Sequence, residues 1–114
     1  MSIKEHPPHL HVPVLLDASL DMMQPKEGES YLDLTAGYGG HSRAFLAKTK
    51  NYSESVLVDR DAFAISKLEE FERKGARLLH TDFVSAARLL TSEGKRFDIV
   101  LVDLGVSSPQ LDRA

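Results

Sequence analysis

Two carboxylates and a run of glycines carry the chemistry open to this sequence. Gly37, Gly39 and Gly40 follow Asp33 closely. Such a run is a turn that lets backbone pass near a ligand while the next helix opens with free N–H groups, an arrangement suited to a nucleotide. The glycines alone also have a structural explanation, since any sharp strand-to-helix turn needs them. Asp59 supplies the independent signal. It lies 19 residues beyond Gly40 at the tip of a predicted second strand, where a carboxylate accepts both hydrogen bonds of a ribose diol. Together these features point to an adenosine ligand. The histidines give less: His6, His9 and His11 read as a solvated segment rather than a chelate, and His80 as a hydrogen-bonded boundary residue. No metal is expected. With no cysteine in the chain, disulfides, thiol nucleophiles and cysteine metal clusters are excluded.

The elements that must position these residues follow from pattern. The chain has 114 residues, 42% hydrophobic and 27% charged, which is ordinary usage for one globular domain. No apolar stretch approaches the roughly 18 residues that span a bilayer, and the start lacks a signal core, so a cytoplasmic location is expected. Fourteen Lys and Arg against 17 Asp and Glu leave a net charge of −3, so no global basic field marks a nucleic-acid binder. Pro7, Pro8 and Pro13 make residues 1–13 an extended arm. Leu16, Leu20 and Met23 recur at helical spacing and predict a short helix ending at Pro25, its stripe packed on the core. Strands are predicted over 31–35, 55–59, 76–80 and 97–103. Helices are expected over 42–48, from Ala62 with Asp61 as N-cap and Gly75 as C-cap, and over 84–90 with Gly94 ending the last. Strands alternating with helices at these spacings imply βαβ units, hence a Rossmann-like α/β fold with a parallel sheet and right-handed crossovers. Its ligands bind beyond the carboxyl ends of the strands.

The turn also discriminates between adenosine cofactors. A dinucleotide fingerprint reads G-x-G-x-x-G, whereas G-Y-G-G-H-S stands here, with Ser42 in place of the third glycine. Asp33 would repel a pyrophosphate and welcome an α-ammonium group. The D-x-T-x-G-x-G string resembles the first motif of S-adenosylmethionine methyltransferases, so methyl transfer is preferred to hydride transfer, and a small NAD-binding domain is the runner-up.

HVPVLL at 11–16, GGHS at 39–42, VDRD at 58–61 and DLGVSSPQLD at 103–112 extend the likeness. From His11 onward the chain resembles the N-terminal part of the bacterial 16S ribosomal RNA cytosine-N4 methyltransferases, the RsmH family, also called MraW. The resemblance implies a class I S-adenosylmethionine methyltransferase fold, of which the first half, about four strands, is present within residues 14–114. It implies cofactor contacts at Gly39, Gly40, His41, Asp59, Phe83, Asp103 and Gln110, and it implies the N4 of a cytidine in 16S ribosomal RNA of the small subunit as methyl acceptor. Catalytic residues stay unassigned, with Asp103 the best proton acceptor. Ala36, Tyr38 and Ala62 depart from residues common in the family without touching these contacts. Because family members are longer and insert an RNA-binding region, the chain is expected to be a truncated piece, inactive by itself. Its fourth strand, beside the first, would be an apolar edge through which the piece self-associates. A non-catalytic cofactor-binding or interaction fragment is the non-enzymatic alternative.

Overall fold

The computed structural model describes residue 20 and residues 22–103. The predicted arm over 1–13 and most of the first helix, including Leu16, lie outside those residues. Leu20 packs against the core as expected, whereas Met23 is exposed, so the predicted stripe is not buried along its whole length.

Four parallel strands form the sheet: β1 (Tyr31–Asp33), β2 (Val56–Asp59), β3 (Arg77–His80) and β4 (Ile99–Leu101), in the order β3-β2-β1-β4. The helices are α1 (Gly40–Thr49), α2 (Ala62–Lys67), α3 (Glu69–Arg73) and α4 (Phe83–Ser92). Side chains alternate across a strand, and the sheet accordingly buries two faces. Tyr31, Leu57 and Ile99 meet Phe45, Leu46, Leu68 and Phe71 on the face covered by α1, α2 and α3. Leu32, Val56 and Val58 meet Ala86 and Leu90 of α4 on the other. The Tyr31 and Phe45 rings stack at 5.1 Å. Each fully buried side chain of this size contributes about 1.5 to 3 kcal/mol.

Helix ends follow local chemistry. Asp61 caps α2 by accepting from Phe63 N–H at 3.1 Å, as predicted. Asp82 caps α4 by accepting from Ser85 N–H at 2.8 Å. The single helix predicted from Ala62 is divided at Leu68, where Leu68 N–H donates to Ile65 O and Phe71 N–H to Leu68 O, each spanning three residues. This tighter winding lets Leu68 and Phe71 both face the core. Lys74 is the C-cap and Gly75 stands one residue beyond it at φ +115°. There Gly75 N–H donates to Glu72 O and Ala76 N–H to Phe71 O, the paired bonds of a Schellman ending, which needs a left-handed residue. Gly94 closes α4 identically through Gly94 N–H to Thr91 O and Lys95 N–H to Leu90 O.

The register of β1 on β4 is set at its entry. Ser30 N–H donates to Asp98 Oδ2 at 2.8 Å and Asp98 N–H to Ser30 Oγ at 2.9 Å. The carboxyl ends of all four strands therefore reach one edge of the sheet.

Candidate functional site

The glycine turn is bound to the tip of β2. Ala36 N–H donates to Val58 O at 2.8 Å, continuing the β1–β2 pairing past β1, and Gly37 N–H donates to Asp59 Oδ2 at 2.8 Å. Asp59 Oδ1 accepts from Asp61 N–H at 2.9 Å. Half-buried Asp59 thus clamps the turn and the entry to α2, and each oxygen, having taken one donor, retains a lone pair for a diol. The clamp is invisible in sequence because Gly37 and Asp59 are 22 residues apart.

The three glycines do different work. Gly39, at φ +92°, is the N-cap of α1, and a Cβ there would stand 2.9 Å from Phe71 Cε2 and 3.1 Å from Leu68 Cδ2. Its smallness is demanded by helix packing as well, a second reason for glycine at this position. Among the described residues a Cβ on Gly37 or Gly40 would meet nothing within 4 Å. The open side of the turn lies there. Among the described residues no side chain caps α1, so its first N–H groups and the positive end of its dipole are available to an anion. His41, half-buried, is the second residue of that helix.

Asp33 departs from its expected role. It is 1% exposed, with Oδ2 accepting from Tyr31 Oη at 2.8 Å and Ser42 Oγ at 3.1 Å, and Oδ1 from Thr35 N–H at 3.0 Å. It ties β1, the turn and α1 together from beneath rather than meeting a ligand's ammonium group. Burial pushes its carboxyl above the usual range, against the three hydrogen bonds and nearby His41, which lower it. Burial and the Asp33 carboxylate also hold the Tyr31 phenol well above its ordinary value, so it remains a donor. A raised folded value means that the folded chain holds this proton more tightly than the unfolded one. The stabilisation is complete below the ordinary 3.8 and is lost as pH rises through the raised value. Across that window the thermal midpoint of the wild type should fall relative to Asp33→Asn. Parallel curves from circular dichroism would show that ionisation of Asp33 costs the fold nothing.

Phe83 and Asp103 reach the same edge. Phe83 opens α4 and is 40% exposed, while both oxygens of Asp82 are occupied by Ser85 N–H and Oγ. Those bonds also hold the Asp82 carboxyl below its ordinary range. Half-buried Asp103 leaves β4 with its N–H donated to Thr35 Oγ1 at 2.6 Å. His80 is a boundary residue as expected, its Nε2 lying 3.1 Å from Arg60 O. Gln110 lies outside the described residues. Thr35 and the structural part of Asp59 were not legible in sequence.

A parallel sheet of this order, with a glycine turn after its central strand and a carboxylate after the next, defines the Rossmann-like class of ligand-binding α/β proteins. Solved structures that share the fold include precorrin 8W decarboxylase of Methanobacterium thermoautotrophicum (TM-score 0.63, 19% identity, 90% of this chain and 53% of that one), and coclaurine N-methyltransferase bound to N-methylheliamine and SAH (TM-score 0.52, 21% identity, 72% and 25%). Within that class, the model of the MraW methylase family matches residues 8–114, and the chain belongs to this family. The ribosomal RNA small subunit methyltransferase H of Rickettsia massiliae is 43% identical over 107 residues, which are 91% of this chain. The chain spans about a third of that relative's length, 34%.

Proposed function

We propose that the gene product transfers a methyl group from S-adenosylmethionine to the N4 of a cytidine in 16S ribosomal RNA. The observation that carries the cofactor half of the proposal is the edge itself: open space over Gly37 and Gly40, uncapped α1, and Asp59 with one acceptor site left on each oxygen; the RNA acceptor is supported by membership of the MraW methylase family and by its ribosomal RNA methyltransferase relatives. These residues fit S-adenosylmethionine part by part. The α1 N-terminus faces a carboxylate, Asp59 takes the ribose diol, and the Phe83 ring offers an apolar surface to adenine. Gly39, Gly40, His41, Asp103 and Gln110 complete the proposed contacts. Ser42, fully buried and donating to Asp33, fills the place of a dinucleotide fingerprint's third glycine, which favours this cofactor over NAD.

The bound cofactor supplies an electrophilic methyl group on a sulfonium. The acceptor amine is a poor nucleophile because its lone pair is delocalised into the ring, so the protein must align it and receive its proton. Asp103, at the exit of β4, is the best acceptor for that proton within this chain. The base must also leave its stack to reach the edge. Such an enzyme works in the cytoplasm on the small ribosomal subunit. Among the described residues no helix is long and apolar enough to cross a membrane. Mass mapping of 16S ribosomal RNA from a strain lacking the gene should show loss of one N4-methylcytidine, and its persistence would refute the substrate assignment.

The proposal extends to association of the 114-residue chain with itself. Among the described residues β4 is an edge strand, and Val100 on it is 47% exposed, leaving a template for strand pairing. Light scattering should show growth in mass with concentration that Val100→Lys suppresses; a monomer at every concentration would rule this out.

A further inference from the structure

The β1–β4 ladder changes acceptor at one rung, and that rung lies at the candidate site. Ile99 N–H donates to Ser30 O at 3.0 Å and Leu34 N–H donates to Leu101 O at 2.9 Å, in the register Tyr31↔Ile99 and Asp33↔Leu101. Donors in a parallel ladder alternate between strands at even spacing, so the next rung would run from Asp103 N–H to Leu34 O. Asp103 N–H instead donates to Thr35 Oγ1. A side-chain oxygen has replaced a main-chain one, and the two strands part there. The hydroxyl is itself well placed by the core, because Thr35 N–H is fixed by Asp33 Oδ1 and Asp33 is held in turn by Tyr31 and Ser42. The strand order reverses between β1 and β4, which is where sheets of this class open their ligand crevice.

We propose that Thr35 is a positioning residue for the candidate site: by holding the Asp103 main chain through its hydroxyl, it keeps β1 and β4 parted and sets where the Asp103 carboxylate stands. The inference rests on the cofactor reading above, in which Asp103 is a contact. Thr35→Val keeps the shape and removes the acceptor, so Asp103 N–H turns to Leu34 O and its carboxylate shifts with it. Thr35→Ser keeps the acceptor.

A double-mutant cycle on the full-length gene product, read as S-adenosylhomocysteine affinity by calorimetry, tests this. Thr35→Val should weaken binding about tenfold, the loss expected when one hydrogen-bonded contact is misplaced. Thr35→Ser should stay within about twofold, and adding Thr35→Val to Asp103→Ala should cost nothing further, because a residue acting only through that carboxylate has no effect once it is gone. Should Thr35→Val fail to fold, Thr35→Ala compared with Thr35→Ser makes the same distinction. Unchanged affinity in the valine variant, or a full loss persisting in the Asp103→Ala background, would overturn the positioning role alone. A wild type that binds no S-adenosylhomocysteine would overturn the cofactor reading and this inference with it.

Discussion

Replacing Asp59 with alanine is expected to weaken S-adenosylhomocysteine binding by about 3 kcal/mol, on the order of a hundredfold in Kd. Two losses combine. The first is the pair of charge-assisted hydrogen bonds to the ribose. The second is preorganisation: Gly37 N–H and Asp61 N–H lose the acceptors that hold the glycine turn against β2. Ordering a freed turn during binding costs conformational entropy that the wild type has already met in folding. Asp59→Asn, which retains one acceptor oxygen, should lose less. Calorimetry on the full-length gene product distinguishes the two variants, and wild-type affinity in Asp59→Ala would place the ribose elsewhere.

The second large effect is on stability. Gly39→Ala should destabilise the fold by about 2 to 4 kcal/mol, combining a left-handed backbone that alanine resists with overpacking of a filled core. At φ +92° the new Cβ would stand 2.9 Å from the Phe71 ring. That ring cannot swing aside, because it is 2% exposed and the Arg43 guanidinium lies over it, 5.4 Å from its centroid. Arg43 is anchored in turn by its ion pair with Glu70. Gly37→Ala is the control. Its φ is +59° but its Cβ meets nothing within 4 Å, so only the backbone cost of about 1 to 2 kcal/mol applies. Urea unfolding that gave equal losses for the two variants would show that helix packing does not select Gly39.

These effects mark where sequence and structure part company. The sheet was legible because its strands are short apolar runs, three of them ending at or just before an aspartate, and because Asp61 and Gly75 announce helix ends. Phe83, Asp59 and Asp103 reach one edge because parallel strands all end there. What pattern does not convey is which partner a polar side chain takes. Asp33 looks like a ligand contact by its place after β1, yet Tyr31, Thr35 and Ser42 consume it. Tyr31, two residues earlier on the same face, donates its hydroxyl to it, which a strand pattern alone cannot foretell. The division at Leu68 is likewise a tertiary effect, since Leu68 and Phe71 must both meet the core beside Gly39. Thr35 shows the same limit, for its acceptor role exists only where β4 arrives 68 residues later.

Calorimetric titration of the full-length wild-type protein with S-adenosylhomocysteine and, separately, with NAD tests the central claim most directly. An open glycine turn, an uncapped α1 and Asp59 at the tip of β2, with Ser42 where a dinucleotide site needs glycine, predict binding of S-adenosylhomocysteine and none of NAD. Binding of NAD without binding of S-adenosylhomocysteine would contradict it.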